Sequence, residues 1–202
     1  MSINAIVDIV NSNKNLRKLD LENNVIYPYN IEGICSSVHN HPSLVHLDLR
    51  NCFDDGDGLG DEMLTSLLTN GTLKLEKLVM SDNGITSNVT TLLSDFLATD
   101  PPLRELDLSD NRLLTDDDAT LIANALRSNT TLRHLDLAYG SITDVGGESF
   151  RLVLHDDSTL NSVSDSNHSC KICLDGINNP WKLHRLYESI NDLGIERQRN
   201  RG

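Results

Sequence analysis

The stretch LRELDLSDNRL, residues 103–113, decides how the rest of the chain is read. Leu106 and Leu108 stand two apart, so in an extended backbone both side chains point to one side. Leu103 and Leu113 frame them, and Asn111 stands between Leu108 and Leu113. The residues that follow, TDDDATLIANALRSN, change period: Ala119, Ile122, Ala123 and Leu126 have helical spacing. Asp116, Asp117 and Asp118 fall in the first turn of that helix, where negative charge is favoured. A short strand followed by a helix is therefore expected here.

The unit recurs. LRKLDLENNVI (16–26), LVHLDLRNCFD (44–54), LEKLVMSDNGI (75–85) and LRHLDLAYGSI (132–142) fit the same L-x-x-L-x-L-x-x-N/C-x-L frame, with Gly140 replacing the Asn and Asp54 interrupting the last apolar position. First leucines at 16, 44, 75, 103 and 132 give steps of 28, 31, 28 and 29 residues. One further step of 28 reaches Leu160, and LNSVSDSNHSC reads as a degraded sixth copy, with Val163 in register and Asp165 where a leucine belongs. Helices are expected over 31–39, 62–69, 89–98 and 145–154 as well. AIVDIVNSNKNL matches the helical half of a unit, so the chain opens mid-repeat, its first helix either a cap or the remnant of a longer array.

These five copies resemble the leucine-rich repeats, and their length is similar to that of the ribonuclease-inhibitor-like subclass also found in NOD-like receptors. The resemblance covers roughly residues 1–175. It implies an α/β solenoid: a short curved horseshoe with parallel strands on the concave face and helices on the convex face. Independently of any name, one such unit cannot bury its apolar side alone, whereas stacked units share a continuous core. Replacing Leu106 or Leu135 by Ala is expected to cost about 2–5 kcal/mol. The array is assigned to 1–179. Residues 180–202 begin at a helix-breaking Pro180, with Leu183, Leu186, Tyr187 and Ile190 on one face. They read as a capping helix, with Trp181 covering the last repeat, followed by a basic tail.

Composition narrows the function classes. The 202 residues hold 17 Lys and Arg against 30 Asp and Glu, a net charge of −13, with only 4% aromatic residues. That field repels phosphate backbones and favours basic protein partners, so no nucleic-acid partner is expected. The N-terminus lacks the pattern of a signal peptide and no run reaches membrane-spanning length, so no membrane partner is expected either. Four cysteines at irregular spacing do not make a disulfide framework. Reduced thiols and a cytoplasmic, alternatively nuclear, location follow; the sequons at Asn70, Asn88, Asn129 and Asn167 carry meaning only in the secretory pathway.

Two motifs invite metal readings. SNHSCKICLDG (167–177) offers His168, Cys170 and Cys173, with His184 further on. In the repeat frame from Leu160, Cys170 takes the apolar position of Ile26, Ile85, Leu113 and Ile142, and His168 the Asn column, so register explains both before a metal is invoked. FDDGDGLGDE (53–62) lacks the ligand spacing of an EF-hand loop: counted from Asp55, position five is Leu59 and position twelve is Ser66. Asp54, Asp55 and Asp57 are then an exposed loop available to a partner. No cofactor is implied.

Side chains pointing away from the core line the concave face in three columns. The central one reads Asp20, Asp48, Val79, Asp107, Asp136, Ser164. The preceding one reads Lys18, His46, Lys77, Glu105, His134, Ser162, and the following one Glu22, Arg50, Ser81, Ser109, Ala138, Ser166. With strands about 4.8 Å apart, adjacent aspartates repel by about 1 kcal/mol in water and by about 3–4 kcal/mol at an effective dielectric near 20. Lys18, His46, Lys77 and His134 are placed to compensate. Two readings of the Asp ladder stay open: framing of the strand, or reception of a partner's Lys and Arg, with Arg50 and the histidines tuning specificity. The histidines are scattered, and HExxH, GxSxG and Walker-type loops do not occur in the sequence. The reading is a non-catalytic module that binds another protein. Two alternatives accompany it: a small-GTPase regulator resembling the Ran GTPase-activating proteins, whose functional residues have no matched positions here, and a zinc-dependent role at His168, Cys170, Cys173 and His184.

Overall fold

The computed structural model describes residues 3–69, 73–154 and 170–174. Strands and helices alternate: α1 (Ile3–Ser12), β1 (Lys18–Asp20), α2 (Pro28–Asn40), β2 (His46–Asp48), α3 (Leu59–Thr69), β3 (Lys77–Val79), α4 (Thr90–Ala98), β4 (Glu105–Asp107), α5 (Asp116–Ala125), β5 (His134–Asp136), α6 (Asp144–Leu154) and β6 (Lys171–Cys173). The strands form one open parallel sheet in the order β1-β2-β3-β4-β5-β6. The helices expected over 31–39, 62–69, 89–98 and 145–154 are present, with ends shifted by up to three residues. Among the described residues, no helix is long and apolar enough to cross a membrane.

The leucine frame builds one core. Leu47, Leu78, Leu106 and Leu135, the middle residues of β2–β5, are at most 1% exposed, and Leu49, Met80, Leu108 and Leu137 continue the buried line. Helix residues Met63, Leu67, Leu97, Ile122 and Phe150 close the core from the other side. Leu19 and Ile172, on the two edge strands, are only partly buried because each has a neighbour on one side alone.

The Asn column explains why the turns stack. Asn111 accepts the N–H groups of Asn83 (3.1 Å) and Ile85 (2.9 Å) and donates to the carbonyls of Met80 (3.0 Å) and Leu108 (2.9 Å). Asn83 repeats the device one unit earlier, accepting from Cys52 (2.8 Å) and Phe53 (3.1 Å) and donating to Leu49 (2.8 Å). Both side chains are buried, so they satisfy turn groups that no ladder reaches. The tight turn itself needs a left-handed residue in every unit: Asn23, Asn51, Asp82, Asp110 and Tyr139, with φ of 49–59°. Asn and Asp tolerate that region; Tyr139 is the exception.

Helix starts are written locally. Pro28 opens α2 in the first turn, and Asp118 accepts both the N–H (2.7 Å) and the hydroxyl (2.8 Å) of Thr115 at the head of α5. Asp57 accepts the N–H of Leu59 at 2.8 Å, which explains why α3 begins three residues before the expected 62. A Cβ on Gly60 would come within 2.1 Å of the Asn83 carbonyl oxygen, so only glycine lets α3 enter this close to the next turn.

One expectation is corrected. The strand that pairs with β5 is Lys171–Cys173, with Leu135 opposite Ile172, and not a segment around Val163. The step from β5 to β6 is thus 37 residues, from His134 to Lys171. Ile172 and Leu174 supply the apolar pair that Val163 and Asp165 do not. Cys170 consequently precedes the strand instead of following it, although it is buried as expected. Ser162, Ser164, Ser166, His168, and the 180–202 segment with Trp181 and His184 lie outside the described residues.

Candidate functional site

Register places the three predicted columns side by side over β1–β5. Lys18, His46, Lys77, Glu105 and His134 follow one another, as do Asp20, Asp48, Val79, Asp107 and Asp136. At the far end the columns continue into Lys171 and Cys173 in place of the expected serines.

The central aspartates share one backbone contact. Asp20, Asp48, Asp107 and Asp136 each accept, through Oδ1, the N–H two residues on: Glu22 (3.2 Å), Arg50 (3.1 Å), Ser109 (3.0 Å) and Ala138 (2.9 Å). The carboxylate thereby holds the chain as it leaves the strand, and the framing reading of the Asp ladder is correct at this level. It leaves the charge on the concave face.

Compensation is uneven. Lys18 pairs with Asp20 at 3.0 Å, and Lys77 with Glu105 at 2.7 Å. Hydrogen bonding from Lys18, then from the Glu22 N–H, holds Asp20 below the ordinary aspartate range; the Lys77 bond does the same for Glu105. Arg50 reaches furthest. Its Nε donates to Ser81 Oγ at 2.9 Å, while its two Nη atoms lie 3.3 Å from Asp107 and 4.0 Å from Glu22. One guanidinium therefore ties β1, β3 and β4 units together, and Val79 and Ser81 in its vicinity are 2% exposed. Sequence reasoning offered Arg50 to a partner; the structure gives it two internal acceptors and a longer ion pair with Glu22.

His46 does not act as a cation here. Burial, reinforced by Lys18 and Lys77 on the neighbouring strands, lowers its pKa below the ordinary imidazole value, and its Nε2 is buried without a hydrogen-bond partner. Counting Lys18, Arg50 and Lys77 against Asp20, Glu22, Asp48, Glu105, Asp107 and Asp136, the β1–β5 columns carry a net charge of −3. Three of the acids gather at the β1–β2 end, where carboxylate oxygens of Asp20, Glu22 and Asp48 lie within 4.8 Å of one another; the other three, Glu105, Asp107 and Asp136, stand on β4 and β5.

A second cluster sits at the opposite end. Ligand atoms of His134, Asp136 and Cys173 lie within 4.8 Å of one another, and Cys173 Sγ is 3.5 Å from His134 Nε2. Sequence reasoning missed this trio because it depends on the β5–β6 register. The signal that could have found it is KICL (171–174), an L-x-L-like pair in the wrong phase for a 28-residue step. The other cysteines are buried, and burial pushes the thiols of Cys35 and Cys170 up to about 12 and that of Cys52 to about 11. Asp54, Asp55 and Asp57 are exposed in the loop before α3, where Asp57 also caps the helix and Asp55 lies against the Gly84 turn.

Comparison with known proteins bears on the fold. A family model described as "Leucine Rich repeat" matches residues 99–123 and 128–150. A Tonsoku-like protein of Danio rerio is 29% identical over 169 residues, 83% of this chain; the chain spans 11% of that relative's length. Among solved structures, leiomodin-1 actin-binding site 2 aligns over 100% of this chain and 94% of its own at 11% identity, with a TM-score of 0.50. An internalin (InlF) from Listeria monocytogenes aligns over 71% of this chain and 35% of its own at 22% identity, with a TM-score of 0.44. Repeat frame, parallel sheet and matched family model agree: the chain folds as an open α/β solenoid of leucine-rich repeats.

Proposed function

We propose that the chain is a protein-interaction module whose concave strand face receives Lys and Arg side chains of a partner. The observation that carries this reading is the excess of carboxylates over cations on a face whose backbone is fixed from within. Over β1–β5 six acids stand against three cations, all three engaged by neighbours, and Lys171 on β6 brings the face to a net −2. A rigid, pre-shaped surface with unbalanced charge gains more from an incoming cation than it loses in ordering. The β1–β2 trio of Asp20, Glu22 and Asp48 is the tightest carboxylate cluster of that field. The exposed Asp54 and Asp55 extend it along the rim.

Finer assignments belong to the same proposal. Strand steps of 28, 31, 28 and 29 residues from β1 to β5, each with a full helix on the return, support the ribonuclease-inhibitor-like subclass. The net charge of −13 supports a basic protein partner over nucleic acid or an anionic membrane. Action by binding, without chemistry of its own, is part of the reading.

The test compares capture of partners by wild type with capture by a variant carrying Asp20→Asn, Asp48→Asn and Asp107→Asn. Asparagine keeps an Oδ1 acceptor for the N–H two residues on, so the framework contact survives while the charge is removed. A partner lost by the variant at unchanged thermal stability supports the proposal. The same partner recovered equally by both moves the binding site to another surface.

A further inference from the structure

The geometry points to a divalent-metal site of zinc type at His134, Asp136 and Cys173, on the concave face where β5 meets β6. Three donors of different kinds converge there: an imidazole nitrogen, a carboxylate oxygen and a thiol sulfur, all within 4.8 Å of one another. Tetrahedral zinc with Zn–S near about 2.3 Å and Zn–N near about 2.0–2.1 Å places those two ligand atoms about 3.6 Å apart. Cys173 Sγ and His134 Nε2 are 3.5 Å apart, so the pair needs almost no rearrangement to share an ion.

The fold prepares each ligand. His134 and Asp136 stand two apart on β5 and project to one side, and Cys173 is the direct register partner of Asp136 across the sheet. Asp136 Oδ1 is held by the Ala138 N–H at 2.9 Å, an outer contact that orients the carboxylate. Cys173 is the one cysteine of the four that is not fully buried, and the three others are held as protonated thiols by burial. A thiolate and an imidazole with one carboxylate suit zinc, and cobalt in its place, over calcium or magnesium, which take oxygen ligands. Three protein ligands from the described residues leave one tetrahedral position for a further donor, water or a protein side chain. This set differs from the one the sequence suggested: it uses Cys173 but neither Cys170, His168 nor His184.

The experiment is a titration of the chelator-treated full chain with Co²⁺ under reducing conditions, followed by competition with Zn²⁺. One equivalent of Co²⁺ is expected to produce a thiolate-to-cobalt charge-transfer band with visible bands of tetrahedral intensity, bleached by Zn²⁺. Cys173→Ala should abolish the charge-transfer band, and His134→Ala or Asp136→Asn should weaken Co²⁺ binding by at least about tenfold. Cys170→Ala, His168→Ala and His184→Ala should leave the spectrum and stoichiometry unchanged. Circular dichroism confirms that the variants remain folded, and Cys173→Ser provides a smaller change at the same position. Absence of a thiolate band at one equivalent overturns the proposal. So does a band that survives His134→Ala and Asp136→Asn but disappears with Cys170→Ala or His168→Ala.

Discussion

Replacing Asn111 by Ala tests the physical basis of the stacking. Its side chain, fully buried, accepts from two backbone N–H groups of the preceding turn and donates to two carbonyls at 3.0 Å or less. Alanine removes these four bonds and a longer one to the Ser109 carbonyl (3.4 Å), and leaves the backbone groups in place. An unsatisfied buried polar group costs about 1–3 kcal/mol, and water entering the small gap recovers part of that loss. A net cost of about 3–5 kcal/mol follows, a large fraction of the stability of an ordinary domain. Asn24 occupies the same position of the first repeat but is exposed, donating to Leu21 O at 3.0 Å and to Glu22 O at 3.1 Å. Asn24→Ala should therefore cost less than about 1 kcal/mol. Urea unfolding of both variants, followed by circular dichroism with the slopes compared, measures the difference. Equal small losses at both positions would refute the claim that buried asparagines hold the turns together.

Arg50→Ala should lower stability by less than about 1 kcal/mol, because the guanidinium is substantially exposed. A carboxylate freed at about 6 Å from an incoming cation contributes about 0.7–1.4 kcal/mol, so a Lys/Arg-rich peptide should bind about three- to tenfold tighter at low salt; weaker binding would mean that Arg50 itself contacts the ligand. Burial alone would raise the pKa of Asp118, but bonds from Ser87 and Thr115 outweigh it and hold the group below the ordinary aspartate value. Its contribution is therefore present above the unfolded pKa and lost as pH falls through the folded one; the urea midpoint should decline below about pH 4, and Asp118→Asn should flatten that decline. Tyr139, at φ 59° and exposed, is strained where the other turns have Asn or Asp, so Tyr139→Asn should raise stability by about 0.5–1 kcal/mol in thermal melts; a loss would show that the ring makes a contact worth more than the strain.

The fold was legible because three signals repeat together: the leucine frame, the Asn column and a change of period into a helix. Where the signals separate, reading fails. Val163 offers one apolar residue where two are needed, and a step of 37 residues breaks the period, so the last strand was expected too early. The concave columns were legible from strand alternation alone, since a period of two fixes which side chains face outward. What those side chains do with one another was not. Arg50 crosses several strands, and a long flexible side chain has no sequence signature for its acceptors. The aspartates of L-D-L looked like a row of repelling charges; their hydrogen bonds to the N–H two residues on depend on how the backbone turns after the strand. The His134–Asp136–Cys173 trio combines both difficulties, because it needs the correct partner strand and the correct register.

The docking claim is tested most directly by the dissociation constant of a Lys/Arg-rich peptide, measured by fluorescence anisotropy at low and physiological salt. Wild type would be set beside the Asp20→Asn, Asp48→Asn, Asp107→Asn variant. Loss of three charges from the face is expected to weaken binding by at least about tenfold at low salt, with a shallower salt dependence and an unchanged unfolding midpoint. Equal affinity for both proteins, or equal binding of an acidic peptide of the same length, would contradict the account and leave the aspartates as framework alone.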